Sequence, residues 1–295
     1  MTQSTSRAAH SVDRTLSRIE LEKIAINPES LTPTIRLLTS HESIRDFEST
    51  PLADEALEAI LVSARSAPTS SNLQAYSIVV VKDPDRRARL SQLVGDQEFV
   101  AQAPVMLLFC ADIARLQYVS RRQGHHFAAD TLEMFLLASV DASLALQNAL
   151  VAAESLGLGA VPVGSVRNEP LPIARELGLP VGVFAVAGLS LGYPKPDVRR
   201  GPKPRLPRAA VVHYEQYGAE NLEDHLREYD TTMIANGLYE GRHVATDSSN
   251  NAEREYGWAE HTARRTSKPE TLSGKSAALR EHLKESVESR GFTIR

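Results

Sequence analysis

The chain has 295 residues, 42% of them hydrophobic and 24% charged, with a formal net charge of −4 and a pI near 6.2. That balance belongs to an ordinary globular protein with enough apolar residues for a core, and its mild acidity excludes a general pull toward nucleic acid or anionic membrane. One cysteine, Cys110, excludes an internal disulfide and any Cys-rich metal site, and fits a reducing cytosol.

Residues 1–15 are polar and expected to be disordered. Arg7, Arg14 and Arg18 against the single Asp13 give a faint likeness to a transit peptide, but there is no apolar stretch of a secretory signal, so a floppy terminus is expected. Short helices are expected over Leu16–Ile26 and Thr34–Ser40, then an extended His41–Phe47. Pro51–Ala67 has Leu52, Leu57, Ile60, Leu61 and Ala64 on one side, which predicts an amphipathic helix ended by Pro68 and a hydroxyl-rich loop, Thr69-Ser70-Ser71-Asn72. Tyr76–Lys82 and Pro104–Cys110 are expected strands on either side of a helix over Arg86–Val94; Asp112–Ala129 reads as partly loop.

Thr131–Leu156 lacks Gly and Pro and is dominated by Leu and Ala, so it predicts a long helix. Leu132, Phe135, Leu136, Val140, Leu144, Leu146, Leu150 and Leu156 surround almost every face, which places it in a core or a membrane. A membrane would have to take up Glu133, Asp141, Gln147, Asn148 and Glu154, so the core is expected. Gly157 and Gly159 stop the helix, and Ala160–Val163 is a short strand aimed at Gly164–Arg167. A helix over Pro170–Leu177 and a strand over Val181–Leu191 follow. Prolines 194, 196, 202, 204 and 207 favour a stiff polyproline-like arm. Beyond it, 218–242 is expected to be helical, 246–252 a flexible loop and 253–290 one or two amphipathic helices. Few strands, separated by helices and without a linker, amount to one α/β-type domain.

Three constellations carry chemistry. In an extended segment His41, Ser43 and Arg45 share a side, which makes either a phosphate receptor or a solvated edge with a salt bridge to Glu42 or Asp46. In Gly201–Pro207, prolines hold Lys203 and Arg205 in a stiff backbone that could grip an anion, or be a solvated loop. With Arg199, Arg200 and Arg208 the run could touch nucleic acid, which net acidity and the lack of interleaved aromatics oppose. The Gly157–Ser165 turn is not a dinucleotide fingerprint, because its order is helix, glycines, strand. Gly164-Ser165 can still let a flat ligand lie against backbone N–H groups. Cys110 is expected to be inert core, and neither His125-His126 nor the scattered His213, His225, His243 and His261 has metal-ligand spacing.

Taken together, Ser40-His41-Glu42-Ser43-Ile44-Arg45-Asp46-Phe47, then Ala67–Gln74, Gly95-Asp96-Gln97, Leu146–Gly159, Val163–Arg167 and Lys203–Pro207 resemble the nitroreductase family, in its NADPH-dependent oxygen-insensitive nitroreductase and flavin reductase branch. The likeness covers roughly residues 34–265. It implies an α+β fold, with a central mixed sheet surrounded by helices and a long buried central helix. It also implies a single FMN-binding domain over 31–295 with a C-terminal helical excursion, after an N-terminal extension over 1–30.

The implied assembly is a cytoplasmic homodimer with two flavins at the subunit interface, no nucleic acid and no membrane. By motif match, His41, Ser43 and Arg45 with Lys203 and Arg205 would hold the phosphate and pyrimidine edge. Thr69, Ser70, Ser71 and Gln97 would line the ribityl chain and ring, and backbone at Val163, Gly164 and Ser165 would meet the ring. NADPH or NADH would reduce the flavin, and a nitroaromatic, quinone or free flavin would reoxidise it, with no dedicated catalytic side chain and no metal. The alternatives are a dedicated FMN reductase supplying free reduced flavin and a non-catalytic flavin-binding protein. Asn72 replaces an expected aromatic, Ser165 a common second glycine, and Arg242 is the residue offered to the NADPH 2′-phosphate, two past Glu240 in register.

Overall fold

A computed structural model describes residues 17–196, 198, 201–242, 255–267 and 280–294. The expectations for residues 1–15, for 246–252 and for Arg199, Arg200 and His243 lie outside the described residues. The chain divides into two compact units, a smaller one of Met1–Leu31 with Gly201–Leu279 and a larger one of Thr32–Arg200 with Arg280–Arg295. In the smaller unit α1 (Arg18–Leu21) is shorter than expected, because Lys23 already turns left-handed at φ 51°.

The larger unit is built on one sheet of four strands, β1 (Tyr76–Val81), β2 (Val105–Asp112), β3 (Gly159–Val163) and β4 (Val183–Gly192), in the order β1-β2-β4-β3. All three pairings are antiparallel, where a mixed sheet is expected. Among the described residues, parallel pairing is confined to two isolated bridges, Ser43–Ala160 and Thr131–Thr293. Alternating strand and helix segments do not specify strand direction, which long-range pairing decides. Every residue of β2 is buried, so its alternating side chains serve two cores. Leu107 and Phe109 join one, while Met106, Leu108 and Cys110 join the other.

Helices fill both faces. α2 (Pro33–Thr39) starts where the Thr32 hydroxyl accepts the Ile35 N–H at 3.3 Å. α3 (Asp54–Arg65) buries Leu57, Ile60 and Ala64 on the Leu107–Phe109 face, and its acids lead while Arg65 trails, as the helix dipole favours. α4 (Pro84–Leu93) begins with Pro84 behind an Asp83 cap, whose carboxylate accepts the Arg86 N–H at 2.7 Å. α4, α5 (Glu98–Gln102) and α8 (Pro170–Glu176) send Leu90, Val100 and Ile173 to the opposite core. α6 (Ala114–Arg122) lies within the stretch expected to be partly loop; none of its residues is fully buried, and Ala114 and Leu116 pack half-buried against the cores.

α7 (Leu132–Ser155) is the long central helix. Gly157 at φ 77° closes it, with Leu158 N–H returning to Ala153 O at 3.1 Å and Gly157 N–H to Glu154 O at 3.0 Å. It buries Ala138, Asp141, Ala142, Ala145, Leu146, Ala149, Leu150 and Ala153 against the sheet and α3. By length and composition it could cross a bilayer, but this face belongs to the core. Leu132, Leu136, Val140 and Leu144, four apart, lie 45%, 57%, 48% and 39% exposed. The apolar circumference expected from the sequence therefore splits into a buried face of alanines with Leu146 and Leu150 and an open stripe of Leu132, Leu136, Val140 and Leu144.

In the smaller unit α9 (Leu222–Ala235) and α10 (Trp258–Thr266) pack around Tyr229, Met233 and Tyr239. The Asp230 carboxylate accepts the Ala259 N–H at 2.9 Å at the start of α10. α11 (Leu283–Ser289) returns the chain to the larger unit, where Phe292 packs edge-on against Phe135 at 5.0 Å and Thr293 N–H reaches Asp130 O at 2.6 Å.

Candidate functional site

His41–Arg45 runs beside β3 as an added edge. The Ile44 N–H donates to Ala160 O at 3.1 Å, and Ile44 turns into a small core with Phe47, Ala103 and Val161. This approach needs Gly159, since a Cβ there would lie 2.7 Å from Ile44 Cγ2. With Ile44 inward, the alternation leaves His41, Ser43 and Arg45 to the other side. His41 Nε2 and Ser43 Oγ are 3.5 Å apart, and the exposed Arg45 guanidinium lies 5.8 Å from the centre of the Phe99 ring. Behind them, Glu154 in the last turn of α7 meets His41 Nδ1 at 2.6 Å. The carboxylate on Nδ1 fixes the orientation of the ring, with Nε2 toward the Ser43 side. Sequence reading missed Glu154; its place in the closing turn of the central helix was the available signal.

The hydroxyl loop is held from α7 as well. Asp141, 1% exposed, accepts the Ser70 N–H at 3.0 Å and the Ala75 N–H at 3.2 Å through its two oxygens. Between these anchors Ser71, Asn72 and Gln74 adopt φ of 48°, 55° and 50°. Each left-handed residue costs about 1–2 kcal/mol, and the two bonds to a buried carboxylate offset part of that cost. Thr69 is half-buried, while Ser70, Ser71 and Asn72 are exposed at the loop tip. Asp141 and Glu154 are thirteen residues apart on one helix, so the loop and His41 hang from points about 20 Å apart along its axis. Sequence reading took Asp141 as an argument against a membrane and did not see its role here.

Gln97 and Ser165 do come together. The Gln97 amide donates to Ser165 Oγ and, at 2.6 Å, to Val94 O, after a turn in which Gly95 and Asp96 both have positive φ. Ser165 lies in the 3₁₀ turn Gly164–Arg167 that follows β3, with Val163 buried behind it. Arg167 donates to Val186 O, and burial lowers its pKa from the ordinary guanidinium value. A cavity of about 710 Å³ opens elsewhere, lined by Ser49, Asp54, Lys82, Arg87 and Gln102 among others, and none of the expected flavin residues lines it. Among the described residues, no three His, Cys, Asp or Glu side chains group to hold a metal.

In the smaller unit Lys203 and Arg205 are exposed on the proline-rich arm. Tyr229 Oη donates to Pro204 O at 3.2 Å, Arg18 to Lys203 O at 3.4 Å, and Arg205 folds back on the Lys203 and Pro204 carbonyls. The helix expected over 218–242 does not reach Arg242, because α9 ends at Ala235 before Gly237 at φ 72°. Its guanidinium lies over Tyr239 and Tyr256, 5.7 and 5.9 Å from the ring centres, and meets His261 Nδ1 at 3.1 Å. Burial first, then Arg242 and Arg265, lower the His261 pKa and favour the neutral ring that accepts from Arg242.

The pattern of the Nitroreductase family matches residues 38–193, and that of its C-terminal domain matches 203–295. The chain belongs to the nitroreductase family. It is 42% identical over 207 residues to an FMN reductase [NAD(P)H] of Bacillus subtilis, covering 69% of this chain and 82% of that one. It is 40% identical over 237 residues to an oxygen-insensitive NADPH nitroreductase of Salmonella typhimurium, covering 79% and 91%. Among solved structures, the NADPH:FMN oxidoreductase of Vibrio harveyi complexed with NAD+ superposes with a TM-score of 0.74 at 33% identity, covering 88% of this chain and 99% of that one. The chemistry of the donors suits a flavin mononucleotide: an imidazole backed by a carboxylate lies next to a hydroxyl, and the same extended segment carries an exposed guanidinium, groups that can pair with a dianionic phosphate. A side-chain amide beside a small-residue turn suits the edge of a planar ring.

Proposed function

We propose that this nitroreductase is an FMN-dependent NAD(P)H oxidoreductase that reduces flavins or nitroaromatics, with quinones in the same class of acceptors. The observation that supports the reading is the Glu154–His41–Ser43 chain beside β3, with the exposed Arg45 two residues on in the same extended segment. Bound FMN supplies the chemistry, taking two electrons from NADPH or NADH and passing them to the acceptor. His41, Ser43 and Arg45 bind its phosphate, and Lys203 and Arg205 join them on the strength of the sequence pattern. Gln97, Val163, Gly164 and Ser165 orient the ring, whose added negative charge is met by backbone N–H groups. Thr69, Ser70 and Ser71 line the ribityl chain and ring, and Arg242 receives the 2′-phosphate where NADPH is the donor.

The working form in this reading is a cytoplasmic homodimer. The open stripe Leu132, Leu136, Val140 and Leu144 is the kind of apolar face a second copy covers. The span of about 20 Å between the anchors of His41 and the hydroxyl loop fits a flavin held by His41 of one copy and the loop of the other.

Purified protein is expected to be yellow and to bleach anaerobically on adding NADPH or NADH. A colourless protein that takes up no FMN overturns the reading, and a yellow one that neither donor bleaches makes it a binding protein. Steady-state rates with free FMN against a nitroaromatic separate a dedicated flavin reductase from a broad one.

A further inference from the structure

The turn Gly164–Arg167 is clamped from the far end of the chain. Arg280 Nε donates to Asn168 Oδ1 at 3.0 Å, and its Nη2 reaches Gly164 O at 3.4 Å. One guanidinium thus holds the carbonyl at the first residue of the turn and the side chain just past its last, 116 and 112 residues away in sequence. Asn168 is itself tied to the turn, its N–H donating to Ser165 O at 2.9 Å. Arg280 comes from the segment that leads into α11, which Arg290 fixes by donating to Leu179 O at 2.6 Å and Val183 O at 3.2 Å.

A trans peptide points its C=O and N–H in opposite directions. Fixing the Gly164 carbonyl toward Arg280 therefore aims the Ser165 N–H the other way. A cation on the carbonyl also polarises the peptide, which makes that N–H a stronger donor. The planar fork of Arg280 engages two acceptors at once, which an ammonium on a flexible stem cannot reproduce.

We propose that Arg280 is a positioning residue for the flavin ring: it sets the orientation and polarity of the Gly164–Ser165 peptide, and so favours the reduced form of bound FMN over the oxidised one. This rests on the flavin reading given above. Negative charge added to the ring on reduction gains from an aligned N–H, whereas the oxidised ring gains less. The effect acts on the difference between two redox forms, which a purely structural clamp would leave unchanged.

The test measures FMN binding in both redox forms, with the midpoint potential, in the full chain and in Arg280→Gln, Arg280→Lys and Asn168→Ala. Arg280→Gln is expected to bind reduced FMN about tenfold less tightly, with oxidised FMN unchanged within about twofold. For a two-electron couple a tenfold change is about 30 mV, here toward more negative potential. Arg280→Lys should recover part of the shift by restoring the charge. Asn168→Ala, which removes one of the two anchors and leaves the guanidinium in place, should shift the same way by less and serves if Arg280→Gln does not fold. Equal weakening of both redox forms, or an unchanged potential in the folded variants, overturns the proposal while leaving the flavin reading intact. Wild-type protein that binds no FMN in either form overturns that reading, and this one with it.

Discussion

Asp141 is the most consequential single side chain that sequence reading undervalued. It stands on a helix rich in Leu and Ala, where a lone carboxylate looks like a cost, and only the structure shows that both its oxygens are in use. Asp141→Asn keeps the size but trades one acceptor oxygen for a donor facing an N–H. The expected loss is about 1–3 kcal/mol of stability, the range for a buried polar group left without its partner. Urea unfolding checks it through the midpoint, and an unchanged midpoint would mean that the loop does not depend on Asp141. His41, Ser43 and Arg45 were legible because strand alternation is a local rule. Glu154 was not, because a contact spanning 113 residues leaves no local trace.

At the scale of elements, β2 shows how far apolar pattern goes. Pro104–Cys110 reads as a strand, and Val105–Asp112 is one, with every residue buried and Cys110 facing the core shared with α4, α5 and α8. Burial, and then the nearby Asp112, push the Cys110 thiol up to about 12. Only the thiolate reacts readily, so native protein is expected to resist alkylation by iodoacetamide at neutral pH and to be labelled once unfolded. Rapid labelling of the native state, read by mass spectrometry, would show that this core opens. α7 was legible as a long helix stopped at Gly157, but its facing was not. When large apolar residues surround a helix, periodicity cannot say which of them the single chain buries, and alanines with Leu146 and Leu150 take that side. α6 is harder to read because only Ala114 and Leu116 reach a core, in a segment otherwise rich in polar and charged residues.

For the whole molecule, the strand positions could be read and the sheet's directions could not, because pairing across β1-β2-β4-β3 is set by contacts far apart in sequence. The same holds for the site. Six short motifs named its residues, yet the structure groups them as Glu154–His41–Ser43, as Gln97–Ser165 and as a separate loop on Asp141. The homodimer proposed above would account for both the separated loop and the open stripe on α7. Leu136→Glu places a charge in the middle of that stripe, at a position already 57% exposed in the single chain. It should leave the fold intact, convert the dimer to a monomer by light scattering and lower FMN retention with it. A variant that stays dimeric would move the interface elsewhere.

The phosphate receptor is the centre of this account, and equilibrium FMN binding, followed by quenching of flavin fluorescence, tests it most directly. Removing the Arg45 guanidinium deletes a charge-assisted bond of about 1.5–3 kcal/mol, or roughly 10- to 100-fold in affinity. Arg45→Ala, and independently Lys203→Ala, should each raise the FMN dissociation constant by a factor in that range. Dissociation constants equal to that of the wild type in both variants would contradict the assignment of the phosphate to these cations.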